Sequence, residues 1–240
     1  MNDAAEQDYM ERMTLACNAS VQFSEDYRGQ LHRIKGAEFQ EMFAQEILFY
    51  KPIELLEGQV WGEGILVTYD TDDLKKMFEV GIIPRDQSVE LIDGHVFKTS
   101  EKTGRQTDAE LNLNMVLLRE LGDDAIIHGG FYLDLGAKFA VAPPTAVLQL
   151  PGERYEYRTA SIGDVILIAE VLEAKPKFWE LKLAAYARAC VPELWVLNLE
   201  TGQFEVYADS NGQEFQHKVT LEHGQKVAPL EFPDAEIRWW

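Results

Sequence analysis

Cysteine, basic charge and long apolar runs are all scarce in this chain, and each shortage narrows what it can be. Only Cys17 and Cys190 occur in 240 residues, too few for a disulfide framework or a cysteine-rich zinc site. Cys190, in an alanine-rich helical setting, reads as a small buried residue. The five histidines, His32, His95, His128, His217 and His223, show no paired ligand spacing, which sets a zinc site aside. No glycine-rich phosphate loop opens a helix and no serine nucleophile elbow occurs, so neither nucleotide binding nor serine hydrolysis has sequence support. Basic residues number 22 against 41 acidic ones, a net charge of -19. That balance argues against tight, nonspecific binding of a polyanion, which depends on phosphate neutralisation by Lys and Arg; a solvated acidic surface is its ordinary meaning. No apolar stretch approaches the length of a membrane span, and the acidic start Met-Asn-Asp-Ala-Ala-Glu lacks a basic n-region and an apolar h-region. The expectation is a soluble, cytoplasmic protein without a membrane partner.

What is present is an ordinary apolar content of 46%, enough for one large domain with an extension. We expect residues 1–66 to form a helical and hairpin extension and residues 67–240 the main domain. Residues 1–35 carry Tyr9, Met10, Met13, Leu15 and Ala16 at helical spacing. Two segments then resemble each other: Phe39-Gln-Glu-Met42-Phe43 leading to Ile53-Glu-Leu-Leu-Glu57-Gly58-Gln-Val60-Trp61, and Leu74-Lys-Lys-Met77-Phe78 leading to Val89-Glu-Leu-Ile-Asp93-Gly94-His-Val96-Phe97. Each reads as a helix, a loop and a hairpin turning at an acidic residue and glycine. With two copies, this is a partial duplication and not a solenoid.

Within the main domain, a helix over 72–80 is capped by Thr71 and ended by Gly81. Strands follow at 89–92 and 95–98. A helix over 108–121 carries Leu111, Leu113, Met115, Val116 and Leu118 before Gly122. Strands at 125–128, 131–135 and 146–150 lead to Val165–Ala169, five consecutive apolar residues that read as a central strand covered on both faces. Glu170 sits where that strand emerges, and a helix over 177–189 brings Lys182 back towards it. Strands at 193–199, 204–208, 214–221 and 227–230 close an antiparallel meander. The whole reads as an α/β fold.

The residues fit for chemistry are acidic, with one lysine: Glu90 in the hairpin strand, Glu170 at the end of the central strand, Glu173 three residues on, and Lys182. Converging carboxylates hold Mg²⁺, and a lysine beside such a site orients a water or neutralises charge on phosphate oxygens. Taken singly, each glutamate reads as a solvated or capping residue.

In order, Val-Glu90-Leu-Ile-Asp-Gly, a helix, Pro-Pro144-Thr145-Ala-Val-Leu, Ile-Ala-Glu170-Val-Leu, and Lys182-Leu-Ala-Ala-Tyr186-Ala-Arg-Ala-Cys-Val-Pro-Glu193-Leu-Trp195-Val-Leu-Asn resemble the Uma-type restriction endonucleases of the PD-(D/E)XK nuclease superfamily. The resemblance runs from about 67 to 230, and Lys182 to Asn198 is its most specific part. It implies a restriction-endonuclease-like mixed β-sheet flanked by helices, Mg²⁺ or Mn²⁺, and DNA as the substrate. Carried over, Glu90 takes the place of the family's early glutamate, Glu170 that of the central-strand metal ligand, and Lys182 that of the lysine moved onto the following helix; Glu173, three residues beyond Glu170, is expected from its own position as a second metal ligand. Thr145 stands where the family has its principal metal-binding aspartate, and a neutral hydroxyl is a poor replacement for a carboxylate on a hard cation. Asp134, Asp164 and Glu173 are the carboxylates that could stand in for it. The helix after the hairpin offers Arg105 and Gln106 where the family often has a histidine, and ahead of Lys182 the chain has Phe178-Trp179 where the family has Asp-Arg. The resemblance therefore implies a degenerate endonuclease site of weak or lost activity, or else a noncatalytic module on the same fold that associates with itself.

Overall fold

The computed structural model describes residues 37 and 42, the strands β1 (Ile53–Leu56), β2 (Gln59–Gly62) and β3 (Ile65–Leu66), and residues 68–238 except Ala137. The expected helical lead-in over 1–35 lies outside the described residues. By chain contacts there are two compact units, residues 1–67 and 68–240. In the first, β1 to β3 form an antiparallel sheet in which Leu56 pairs with Gln59.

In the second unit the order is α1 (Thr71–Glu79), β4 (Val89–Ile92), β5 (His95–Lys98), α2 (Gly104–Leu121), β6 (Ile126–His128), β7 (Leu133–Asp134), β8 (Ala140–Val141), β9 (Thr145–Leu148), β10 (Val165–Leu172), α3 (Trp179–Arg188), β11 (Glu193–Asn198), β12 (Gln203–Ser210), β13 (Phe215–Leu221), β14 (Lys226–Val227) and β15 (Ile237–Arg238). Six strands form the main sheet in the order β13-β12-β11-β10-β9-β6, and β5-β4-β8-β7 form a second sheet. The main sheet is mixed: β10 runs parallel to β11 across the helical crossover α3, and every other pair in it is antiparallel.

Local chemistry explains the differences from the expected boundaries. Asp70, and not Thr71, caps α1: its carboxylate accepts from the Asp72 and Asp73 amides at 3.0 and 2.9 Å, and Asp73 reaches back to the Asp70 amide at 3.1 Å. This reciprocal box satisfies amide donors that the helix leaves open. Helix α2 starts a turn earlier than Asp108 because Thr103 Oγ1 accepts from the Gln106 amide at 3.1 Å. The Asp93-Gly94 turn closes β4 and β5 with both residues left-handed, φ 51 and 78, as a two-residue hairpin demands. Cys190 is exposed, not buried: it takes φ 57 just past the end of α3, where a helix commonly turns left-handed.

Alternation along β10 builds the core. Leu167, Ala169 and Val171 are buried in one apolar cluster with Leu113, Val116, Leu117 and Leu121 of α2, and with Trp195 and Leu197 of β11. Successive strand side chains point to opposite faces, so Glu170 is delivered to the other face. Three of the apolar residues expected to pack α2, Leu111, Met115 and Leu118, are exposed instead. The helix is apolar on two sides, and only one is covered.

Candidate active site

Three of the four acidic and basic candidates meet, although they are far apart in sequence. Lys182 Nζ donates to Glu90 Oε1 at 2.7 Å and lies 2.7 Å from Glu170 Oε1. All three side chains are buried, at 5–6% exposure. Glu90 arrives on β4 of the second sheet, Glu170 on β10 of the main one, and α3 carries the lysine between them. Helix α3 buries Trp179, Lys182 and Tyr186, the i, i+3, i+7 stripe of one helical face. Phe178, at the helix entry, stacks on Phe97 at 4.9 Å between centroids. The apolar pair Phe178-Trp179 is thus part of the packing that seats α3, and both residues are buried.

Tyr186, one turn beyond Lys182, donates its hydroxyl to Glu170 Oε1. Its ring packs edge-on against Phe139 at 5.2 Å. Burial raises the Tyr186 pKa, and the Glu170 charge raises it further, so the phenol remains a donor. Burial alone would lower the Lys182 pKa, but Glu170 and Glu90 outweigh it and raise it; the lysine is an ammonium ion. Burial raises Glu90, opposed by Lys182 and reinforced by the like charge of Glu170. One ammonium between two carboxylates leaves one excess negative charge, and the repulsion between the two carboxylates adds to the upward shift of Glu90.

Glu170 lies inside β10, opposite Val196 of β11, with the strand continuing to Leu172; it is not at the strand's exit as expected. Glu173 does not join the cluster. An offset of three along an extended chain sends a side chain to the other face, and Glu173 accepts from Thr103 Oγ1 at 2.7 Å and Arg105 Nη1 at 3.3 Å at the start of α2. Arg105 also donates to Leu199 O and Gln106 to Val171 O, so both tie α2 to the sheet.

Thr145 is fully buried but belongs to the opposite face. It pairs with Ala169 across β9 and β10, and directly paired residues share a face. Its hydroxyl donates to Asn114 Oδ1 of α2 at 2.7 Å, and Asn114 Nδ2 donates to Pro144 O at 3.2 Å. Neither alternative carboxylate compensates. Asp164 is clamped by both Arg158 guanidinium nitrogens at 2.7 Å and by Ser161, and the Arg158 bonds hold its pKa well below the usual carboxylate range. Asp134 Oδ1 accepts from the Gly136 amide at 3.2 Å.

Sequence reasoning missed Glu110. It is buried on α2, with Oε2 accepting from Lys102 Nζ at 2.7 Å and Oε1 without a hydrogen-bond partner among the described residues. Burial raises its pKa, Lys102 opposes this, and the charge of Glu170 adds to the rise. The signal was available: Glu110, Leu113, Leu117 and Leu121 form one helical stripe, so a carboxylate sits on the buried face.

Could this set hold a divalent metal? Glu90 and Glu170 each spend Oε1 on an ammonium, and Glu173 and Thr145 face elsewhere. Among the described residues no group of three or more His, Cys, Asp or Glu side chains is placed to hold a metal ion.

A solved structure described as "a putative nuclease belonging to DUF820", from Anabaena variabilis, superposes with a TM-score of 0.56 at 13% identity, covering 72% of this chain and 94% of that one. The likeness establishes a shared fold. Among curated proteins none matches. The family model Uma2, described as "Putative restriction endonuclease", matches residues 72–239, more than two thirds of the chain. The mixed sheet, the crossover α3 and the span from the second residue of α1 to β15 lie within that match, and the chain belongs to the Uma2 family.

Proposed function

We propose that this protein is a DNA-endonuclease relative whose Mg²⁺- or Mn²⁺-dependent cleavage is weak or lost. The observation that carries this reading is Thr145. The position where the family resemblance calls for the principal metal-binding aspartate is a buried hydroxyl bonded to Asn114, on the face away from Glu170. Glu90, Glu170 and Lys182 retain the positions of catalytic residues, but they are spent on one another in a buried ion triad. A hard divalent cation needs carboxylate oxygens free to coordinate it, and the desolvated ammonium competes for both.

The test is nicking of supercoiled plasmid DNA with Mg²⁺ or Mn²⁺, comparing wild type with Thr145→Asp. The expected result is a silent wild type. Thr145→Asp, whose carboxylate would face Asn114 and α2, is expected to stay silent as well, and cleavage gained by it would contradict that placement of position 145. Metal-dependent cleavage by wild type that Glu170→Gln abolishes would overturn the reading.

A second reading follows from the uncovered apolar side of α2: the fold serves as an interaction module, with a second copy of the chain as its partner.

A further inference from the structure

Helix α2 carries a second apolar stripe that its own domain leaves uncovered. Leu111, Met115 and Leu118 are 56%, 68% and 59% exposed, although the buried side of the same helix, through Leu113, Val116, Leu117 and Leu121, is fully packed. Spacings of four and then three place the exposed three along a single line of the helix surface. Scattered surface leucines are common, but three in line on one helix form a patch.

The charges at the two ends of the stripe decide what covers it. Exposed Asp108 precedes Leu111 by three residues, and exposed Arg119 follows Leu118. Arg119 is 66% exposed and is held by the neighbouring Glu120 at 2.9 Å, a surface pair easily exchanged for another. The line therefore reads acid, three apolar residues, base. Laid parallel against itself, it would set like charges together. Laid antiparallel, it sets acid against base at both ends, and Leu111 against Leu118, with Met115 near the twofold axis. An isologous contact requires this kind of self-complementarity.

We infer that the Leu111–Met115–Leu118 face of α2 is a homodimer interface, in which two copies pair their α2 helices antiparallel, with Asp108 of each copy facing Arg119 of its mate. This deepens the interaction-module reading above and is independent of cleavage, which the plasmid assay reports separately. Three apolar anchors per copy make a contact smaller than the standard interface of about 1,600 Å², so association is expected at micromolar and not nanomolar strength.

Sedimentation equilibrium of the full chain, from about 1 to about 200 µM, provides the test. Wild type should follow a monomer–dimer isotherm within that range. Met115→Glu, at the centre, should weaken association by at least about tenfold. Asp108→Lys and Arg119→Glu should each weaken it, and the double variant should recover it, because the swap restores opposite charges. All these positions are exposed, and an unchanged far-ultraviolet circular dichroism spectrum confirms the fold of each variant. A wild type that stays monomeric throughout the range, or a dimer indifferent to Met115→Glu, would overturn the inference.

Discussion

Two buried charge clusters in this protein are inverses of each other. In one, a single lysine, Lys182, lies between two glutamates, Glu90 and Glu170, each at 2.7 Å. In the other, a single glutamate, Glu205 on β12, lies between two lysines, Lys175 and Lys218, also each at 2.7 Å, with Tyr207 donating at 2.9 Å. The bond lengths agree, but the surroundings do not. All members of the first cluster are buried, whereas Lys175 and Lys218 are 31% and 46% exposed. The outer partners of Glu205 can turn to water, and those of Lys182 cannot. The first cluster is therefore committed to its arrangement as an internal ion triad.

The largest effect should come from breaking the committed cluster. Lys182→Ala leaves two buried carboxylates without a counter-ion, a change that costs about 3–5 kcal/mol in comparable cases. Urea unfolding should show the midpoint falling with little change in slope. A loss below about 1 kcal/mol would mean that solvent reaches the triad, and the contrast between the two clusters would fail.

A smaller effect separates the clusters by pH. Glu90 has its pKa raised by burial, so the folded state binds more protons than the unfolded one between the unfolded carboxylate value, about 4.3, and the raised value. Its contribution is fully present below about 4.3 and is lost as pH rises through the folded value. For Glu205, burial raises the pKa, but hydrogen bonds from Lys175, Lys218 and Tyr207 outweigh it and lower the pKa; its contribution is present above about 4.3 and is lost as pH falls. Stability profiles of Glu90→Gln and Glu205→Gln, each referred to wild type, should therefore slope in opposite directions. Profiles of the same slope would contradict the opposite directions of the Glu90 and Glu205 shifts.

The smallest effect should come from Lys218→Ala, which removes a half-exposed partner while Lys175 and Tyr207 still serve Glu205. A change of about 0–1 kcal/mol is expected. A loss as large as that of Lys182→Ala would show that exposure is not what distinguishes the two clusters.

Much of this site was legible before the structure. Val165–Ala169 announced a central strand by its unbroken apolar run, and Asp93-Gly94 fixed the hairpin that carries Glu90. The motif run around Glu90 and Glu170, and above all Lys182 to Asn198, gave the resemblance to the family that the match over residues 72–239 bears out. What the sequence did not disclose depends on which face a side chain leaves. Glu173 was grouped with Glu170 by nearness, yet along an extended chain an offset of three separates them. Thr145 was expected beside Glu170, but pairing with Ala169 turns it to α2, and strand register is set by long-range pairing. On α2 the error ran the other way: a helix apolar on two sides gives no internal sign of which side the sheet will cover.

The central claim is that the metal-dependent chemistry of the fold is weak or lost in this chain, and plasmid nicking tests it most directly. Wild-type protein incubated with supercoiled DNA and Mn²⁺ should leave it supercoiled, as should Glu170→Gln and Lys182→Ala. Nicking by wild type that requires the metal and disappears in both variants would contradict the account and restore Glu90, Glu170 and Lys182 as a working active site.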